Sequence, residues 1–277
     1  MNLIEIFLNH KKDNVASELT IKNYRIDLFQ FLPFVFEKEV DKITIEDLKE
    51  VTILKTKNAL LKLQAEKKYT VTTINRRLAS FKSFFKYWSE VYSIPNIIHS
   101  MKSFHDTRLH EVEFISNEDV KRIVQRAKET SAEMYLIMGI LFNTGLRSAE
   151  LLSLTIENIH EDCIIVIGKG NKLRRVELNN IAKDCVTRYI KEKKVTQGTL
   201  LKMSYVTLRR HYTKFLANCN VDCSKLHTTR KSFATNLIER GASLTDVSSL
   251  LGHSTTSTLE RFYLGSNTKK ITVSLLE

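Results

Sequence analysis

Proline is almost missing from this 277-residue chain, which has two, and glycine is scarce, with eight. Both residues interrupt helices, so their scarcity favours long regular segments, and apolar residues recur mostly three and four apart. A mainly α architecture is expected. Four cysteines, Cys163, Cys185, Cys219 and Cys223, form no C-x-x-C pair, which argues against zinc. Cys219 and Cys223 would share a face if helical, but reduced thiols are the expectation. No run approaches the roughly 20 apolar residues of a membrane span, so no membrane partner is expected. The apolar start, Met1 to Leu8, soon reaches Asn9-His10-Lys11-Lys12 and lacks a leading basic region and a small-residue cleavage site. It reads as an amphipathic first helix and not as a signal, and the location expected is the cytoplasm.

What is abundant is positive charge. Forty-three Lys and Arg against 31 Asp and Glu give a formal net charge of +12, spread through both halves, which suits a protein that surrounds a polyanion. The length favours two domains. In the first half, Thr20 is positioned to cap a helix carrying Ile21, Tyr24, Leu28, Phe31 and Leu32, and Thr44 with Asp47 resembles a capping box. A further helix, from about Val71 to Val91, sets Ile74, Leu78, Phe81, Phe85 and Trp88 on one face and Arg76, Arg77, Lys82 and Lys86 on others, where phosphate could be met. Thr72, Thr73 and Asn75 could add hydrogen bonds to backbone or bases. Pro95 closes this region, and a stretch without clear periodicity follows. The expected division is a DNA-binding domain over 1–100, a linker over 101–114 and a second domain over 115–277, opened by a cap at Ser116.

The one clear β signal is a hairpin: Cys163 to Ile167, a turn at Gly168-Lys169-Gly170-Asn171-Lys172, and an alternating strand from Leu173 to Leu178. Around it lie groups able to hold a phosphodiester. Arg147 follows Thr144-Gly145-Leu146 and precedes Glu150, after an apolar helix from Met134 to Phe142, so a glycine turn places it near a helix N-terminus. His227 and Arg230 are three apart and share a helix face. His253 follows Leu251-Gly252, beyond the end of a periodic segment, and Arg261-Phe262-Tyr263 comes after it. Arginine clamps non-bridging oxygens, histidine moves a proton near neutral pH, and tyrosine can be a covalent nucleophile.

In order and spacing these motifs resemble the signature of the tyrosine recombinases, the phage-integrase superfamily, in its two-domain Xer-like form. The resemblance covers nearly the whole chain. It implies a helical, SAM-like core-binding domain and a mixed, mostly helical catalytic domain with a small β-hairpin, closing as a C-shaped clamp on DNA. It further implies that Arg147 and Arg230 hold the scissile phosphate and that Lys169 protonates the departing 5′-oxygen, with Lys172, Arg174 and Arg175 as nearby alternatives. By the same resemblance His227 accepts the tyrosine proton or donates to phosphate, His253 donates to phosphate, and Glu150 orients the arginine. Arg76, Arg77, Lys82, Lys172 and Arg174 are the expected DNA contacts. No metal or other cofactor is called for. The partners expected are double-stranded DNA with specific sites and copies of the chain itself, a homotetramer on DNA and a monomer or dimer when free.

One departure stands out. In the resembled family the nucleophile usually lies nine residues after the histidine of L-G-H, and here that position is Phe262. An ungapped match makes Phe262 the replacement of a tyrosine, by engineering or natural loss, whereas a one-residue insertion aligns Tyr263 as the nucleophile. One helical step turns a side chain by about 100°, so the two alignments differ in substance. The expected function is site-specific strand cleavage and exchange through a 3′-phosphotyrosine and a Holliday junction, serving resolution, integration or excision of DNA. Two rivals remain: an architectural DNA-binding protein without cleavage, and a type IB topoisomerase.

Overall fold

Caps and apolar stripes decide where the helices of this protein begin and which way they face. The computed structural model describes residues 2–14, 16–105, 113–167, 173–223 and 225–252. The chain divides into two compact units, Met1–Arg108 and Leu109–Glu277.

The first unit is helical: α1 (Leu3–Asp13), α2 (Glu18–Phe36), α3 (Ile45–Lys49), α4 (Ile53–Lys67) and α5 (Val71–Tyr92). α2 starts three residues earlier than Thr20 suggests. Ser17, in extended backbone, is the cap and accepts the Thr20 N–H, so Thr20 lies within the first turn. Thr44 and Asp47 form the capping box at α3. The core is aromatic: Phe7, Phe31, Phe81, Phe84 and Phe85 are fully or almost fully buried, and Phe31 meets Phe81 edge-to-face at 5.3 Å between centroids. Asn75, near the start of α5, exchanges two hydrogen bonds with the backbone of Phe104, each 2.8 Å, and so pins the chain leaving the unit.

The second unit contains α6 (Asn117–Thr130), α7 (Ala132–Thr144), α8 (Ser148–Ser153), β1 (Cys163–Ile167), β2 (Leu173–Glu177), α9 (Asn180–Lys193), α10 (Tyr205–Asn218), α11 (His227–Glu239) and α12 (Leu244–Leu251). α7 is apolar on nearly every side and correspondingly central, packed by α6, α9 and α11. Ser116 caps α6 by accepting the Asp119 N–H. β1 and β2 pair antiparallel, with Cys163 opposite Glu177 and Ile167 opposite Leu173. The turn between them, 168–172, lies outside the described residues, as do His253, Phe262 and Tyr263. All four cysteines are free and buried, and Cys219 and Cys223 do not share a helix because α10 ends at Asn218. No helix among the described residues is long and apolar enough to cross a membrane.

Gly145 is the hinge of this unit. Its φ of +62° ends α7 in the left-handed region, and a Cβ there would lie 2.5 Å from Phe233 Cδ1 and 2.7 Å from Leu251 Cδ2. Only glycine lets the turn before Arg147 lie against both α11 and α12. Gly145→Ala is expected to cost about 2–4 kcal/mol, from left-handed strain plus overpacking. Equilibrium urea unfolding of the two proteins checks this, and a loss below about 0.5 kcal/mol would show that the turn has room to spare.

Candidate active site

Three arginines from three separate elements converge on one carboxylate. Arg147 is the N-cap residue of α8; its backbone N–H donates to Glu150 Oε2 at 2.7 Å and its Nη1 to Glu150 Oε1 at 2.8 Å. Arg174, from β2, donates through Nη2 to Glu150 Oε2 at 3.0 Å and through Nη1 to the Leu251 carbonyl at 2.6 Å. Arg230, in the first turn of α11, donates through Nη1 to the Gly145 carbonyl at 2.8 Å and through Nη2 to the same Leu251 carbonyl. Its Nη1 is 4.0 Å from Glu150 Oε2. Motifs distant in sequence therefore meet where Gly145 brings the turn against α11 and α12.

Among the described residues this cluster is short of negative charge. Three guanidiniums face one carboxylate, and both Arg230 and Glu150 are more than nine-tenths buried. Burial, with Arg147 and Arg174 alongside and Glu150 opposing, lowers Arg230 to about 9, so it stays a cation at neutral pH. Burial also lowers Arg174, against the attraction of Glu150. Buried cations without full compensation are costly unless an anion joins them. Among the described residues the Nε atoms of Arg174 and Arg230 are buried without an acceptor, and Arg147 is 38% exposed, which leaves it open to an incoming group. A phosphodiester matches the missing charge and the planar donors.

His227 opens α11 one turn before Arg230. Burial first, then Arg230, Lys231 and Arg147, hold its imidazole below the ordinary 6.5, so it is neutral at pH 7 and can accept a proton. Lys169, Lys172, His253, Phe262 and Tyr263 lie outside the described residues.

The other expected DNA contacts are placed unequally. Arg76 is 45% exposed, with Nη2 2.8 Å from the buried carboxylate of Asp27. Arg77 is instead buried: it donates to Gln30 Oε1, lies 4.1 Å over the Tyr69 ring and is 3.9 Å from Asp27. Lys82 folds back onto the carbonyls of His99 and Met101, and Asn75 is occupied by Phe104. Arg174, expected on the DNA face, is turned into the cluster. Its strand gave the signal, since Arg174 shares a pleat face with the buried Val176 while Arg175 and Glu177 pair on the other. Sequence reasoning also passed over α10, where Arg209, Arg210 and Lys214 are exposed and carry no ion pair among the described residues. The signal was the absence of any acid between Glu192 and Asp222.

Comparison with known proteins places the chain in a family. A profile described as the phage integrase family matches residues 113–270, and one described as the phage integrase N-terminal SAM-like domain matches residues 4–90. The chain belongs to the phage integrase family. It is 28% identical over 272 residues to the tyrosine recombinase XerC of Rickettsia canadensis, covering 89% of this chain and 86% of that protein. It is 28% identical over 267 residues to the tyrosine recombinase XerD of Oceanobacillus iheyensis, covering 88% and 86%. In fold it resembles the XerH site-specific recombinase bound to a palindromic difH substrate, with a TM-score of 0.72 at 18% identity over 92% of this chain and 78% of that one. It also resembles the Tn1549 transposon integrase in complex with circular intermediate DNA, with a TM-score of 0.71 at 18% identity over 95% of both.

Because the His227 pKa is lowered on folding, the unfolded chain binds the proton first as pH falls. Stability should therefore be constant in this term above pH ~6.5 and decline below it, and His227→Gln should flatten the decline. Urea midpoints from pH 7.5 to 5 read this out, and an identical slope in both proteins would assign the decline to other groups.

Proposed function

We propose that this chain is a site-specific DNA recombinase whose active site is built for strand cleavage and exchange through a 3′-phosphotyrosine, here in a nucleophile-dead form with Phe262 in the tyrosine's place. The observation that carries the reading is the convergence of Arg147, Arg174 and Arg230 on the single carboxylate of Glu150, with a neutral histidine beside them. Arg147 and Arg230 would grip the non-bridging oxygens, Arg230 held by two backbone carbonyls and Arg147 by Glu150. The tyrosine phenol would pass its proton to His227 and form the bond to phosphorus. The bond to the 5′-oxygen would break, and that oxygen would take its proton from Lys169. His253 would add a donor to the phosphate. A 5′-hydroxyl from a partner duplex reverses these steps, so the phosphodiester is rebuilt without outside energy. Charge stabilisation and positioning of this kind are what proteins supply to phosphoryl transfer.

In this reading residues 1–100 bind core DNA, 101–114 connect, and 115–277 carry the chemistry. Arg76, the basic face of α10 and Lys172 would meet DNA backbone, whereas Arg77 and Lys82 would brace the first domain from within. Strand exchange would take place in the cytoplasm, in a homotetramer, through a Holliday junction, on chromosomal or mobile-element DNA.

Phe262 favours one second reading, a protein that binds its site without cutting it. A nicked duplex bearing the recombination site separates the two on a denaturing gel. A covalent adduct with Phe262→Tyr and none with the chain as written is the expected outcome, and it would mark position 262 as the nucleophile's. An adduct with the chain as written would move the nucleophile to Tyr263. Binding by both proteins with no adduct from either would contradict the cleavage mechanism and leave the non-cutting reading in place.

A further inference from the structure

One member of the arginine cluster is bonded to acceptors that both of its neighbours also use. Arg174 is 13% exposed, and its two Nη atoms reach two acceptors that other arginines also use: Glu150 Oε2, which takes the Arg147 N–H, and the Leu251 carbonyl, which takes Arg230 Nη2. Among the described residues it is thus the one side chain in the cluster that donates hydrogen bonds to the supports of both candidate phosphate-binding arginines. Glu150 has two oxygens for three guanidiniums. Without a third cation its carboxylate would be free to rotate toward Arg230, whose Nη1 is already 4.0 Å from Oε2, and Arg147 would lose its aim. The Leu251 carbonyl is the other half of the arrangement. It lies at the C-terminal end of α12, and Gly252 follows with φ +65°, so close that a Cβ there would stand 3.0 Å from Arg174 Nη1 and 3.1 Å from its Cδ. The missing side chain at 252 is what lets the guanidinium lie flat against the end of α12.

We infer that Arg174 is a positioning residue for the phosphate clamp: by holding Glu150 Oε2 and the Leu251 carbonyl together, it fixes the aim of Arg147 and Arg230. Its two Nη atoms bridge the two supports, one on Glu150 Oε2 and one on the Leu251 carbonyl. The inference deepens the proposed recombinase reading and rests on it for the identity of the anion, while the mutual arrangement of the arginines stands apart from that reading. Lysine at 174 offers a point charge and can satisfy one of the two acceptors at a time, so it should restore part of the effect.

Two measurements test this. The first is the single-turnover rate of adduct formation on the nicked duplex, in whichever of the chain as written or Phe262→Tyr forms the adduct, with duplex affinity measured alongside. Arg174→Ala should slow the rate about 100-fold, as expected when oriented charge is lost from a transition state, and leave affinity within about 3-fold, with Arg174→Lys recovering about 10-fold. In a Glu150→Gln background Arg174→Ala should add less than about 3-fold, because partners in one network do not add independently. A full 100-fold further loss in that background, or equal defects in Arg174→Ala and Arg174→Lys, would overturn the inference. The second needs no cleavage: NMR titration of His227 in the full-length protein, whose imidazole senses Arg230 and Arg147. Arg174→Ala should move that titration toward the ordinary histidine value as the cluster hydrates. An unmoved titration would also overturn the inference. A moved titration with no adduct from any form would uphold the positioning role and count against the recombinase reading alone.

Discussion

The sharing of one carboxylate, Glu150, among three guanidiniums is the constraint on which the second unit turns. Each arginine comes from a different element, so the carboxylate fixes α8, β2 and α11 relative to one another. Removing a single partner from a buried charge cluster typically costs 3–5 kcal/mol, because the remaining charges are left uncompensated. Among the described residues the cluster holds more cation than anion. The arrangement is electrostatically costly on its own, and the helices behind it, α7 above all, supply the apolar packing that tolerates it.

Backbone geometry does as much as charge. The Gly145 and Leu251 carbonyls accept from Arg230, and Leu251 accepts from Arg174 as well, so two turns that end helices become acceptors for buried guanidiniums. Both turns use glycine with positive φ, at 145 and 252; a side chain at 145 would clash with Phe233 and Leu251, and one at 252 would crowd Arg174. The loss of helix-terminal hydrogen bonding at α7 and α12 is thus turned into recognition of arginine.

Much of this was legible in the residues. Scarce proline and glycine with helical spacing pointed to the mainly α fold, and the β-prone run at Cys163 pointed to the hairpin, with β1 at the expected residues and β2 ending at Glu177, one residue short of the expected Leu178. The T-G-L-R and H-x-x-R spacings identified Arg147, His227 and Arg230, which do come together. Less legible were residues whose partners are remote in sequence. Arg77 looks like a surface cation on a helix until the buried Asp27 and Gln30 of α2 draw it inward. Arg174 looks like a hairpin cation until Glu150 and the end of α12 claim it. Tertiary ion pairs of this kind leave no local period to read, although the pleat face that Arg174 shares with Val176 carried a partial signal. The basic face of α10 was passed over because its signal is an absence of acids and not a motif.

The central claim is that the arginine cluster holds one particular phosphate of DNA. The most direct test is to replace single phosphates of the recombination site by uncharged methylphosphonates, one linkage at a time, and to measure duplex affinity for the chain and for Arg147→Ala. One linkage should stand out with a loss of about 10-fold in the chain, the worth of a charge-assisted contact, and of less than about 2-fold in Arg147→Ala, where that contact is already gone. Equal losses in the two proteins at every linkage would contradict the claim and leave the cluster as a structural device without a phosphate.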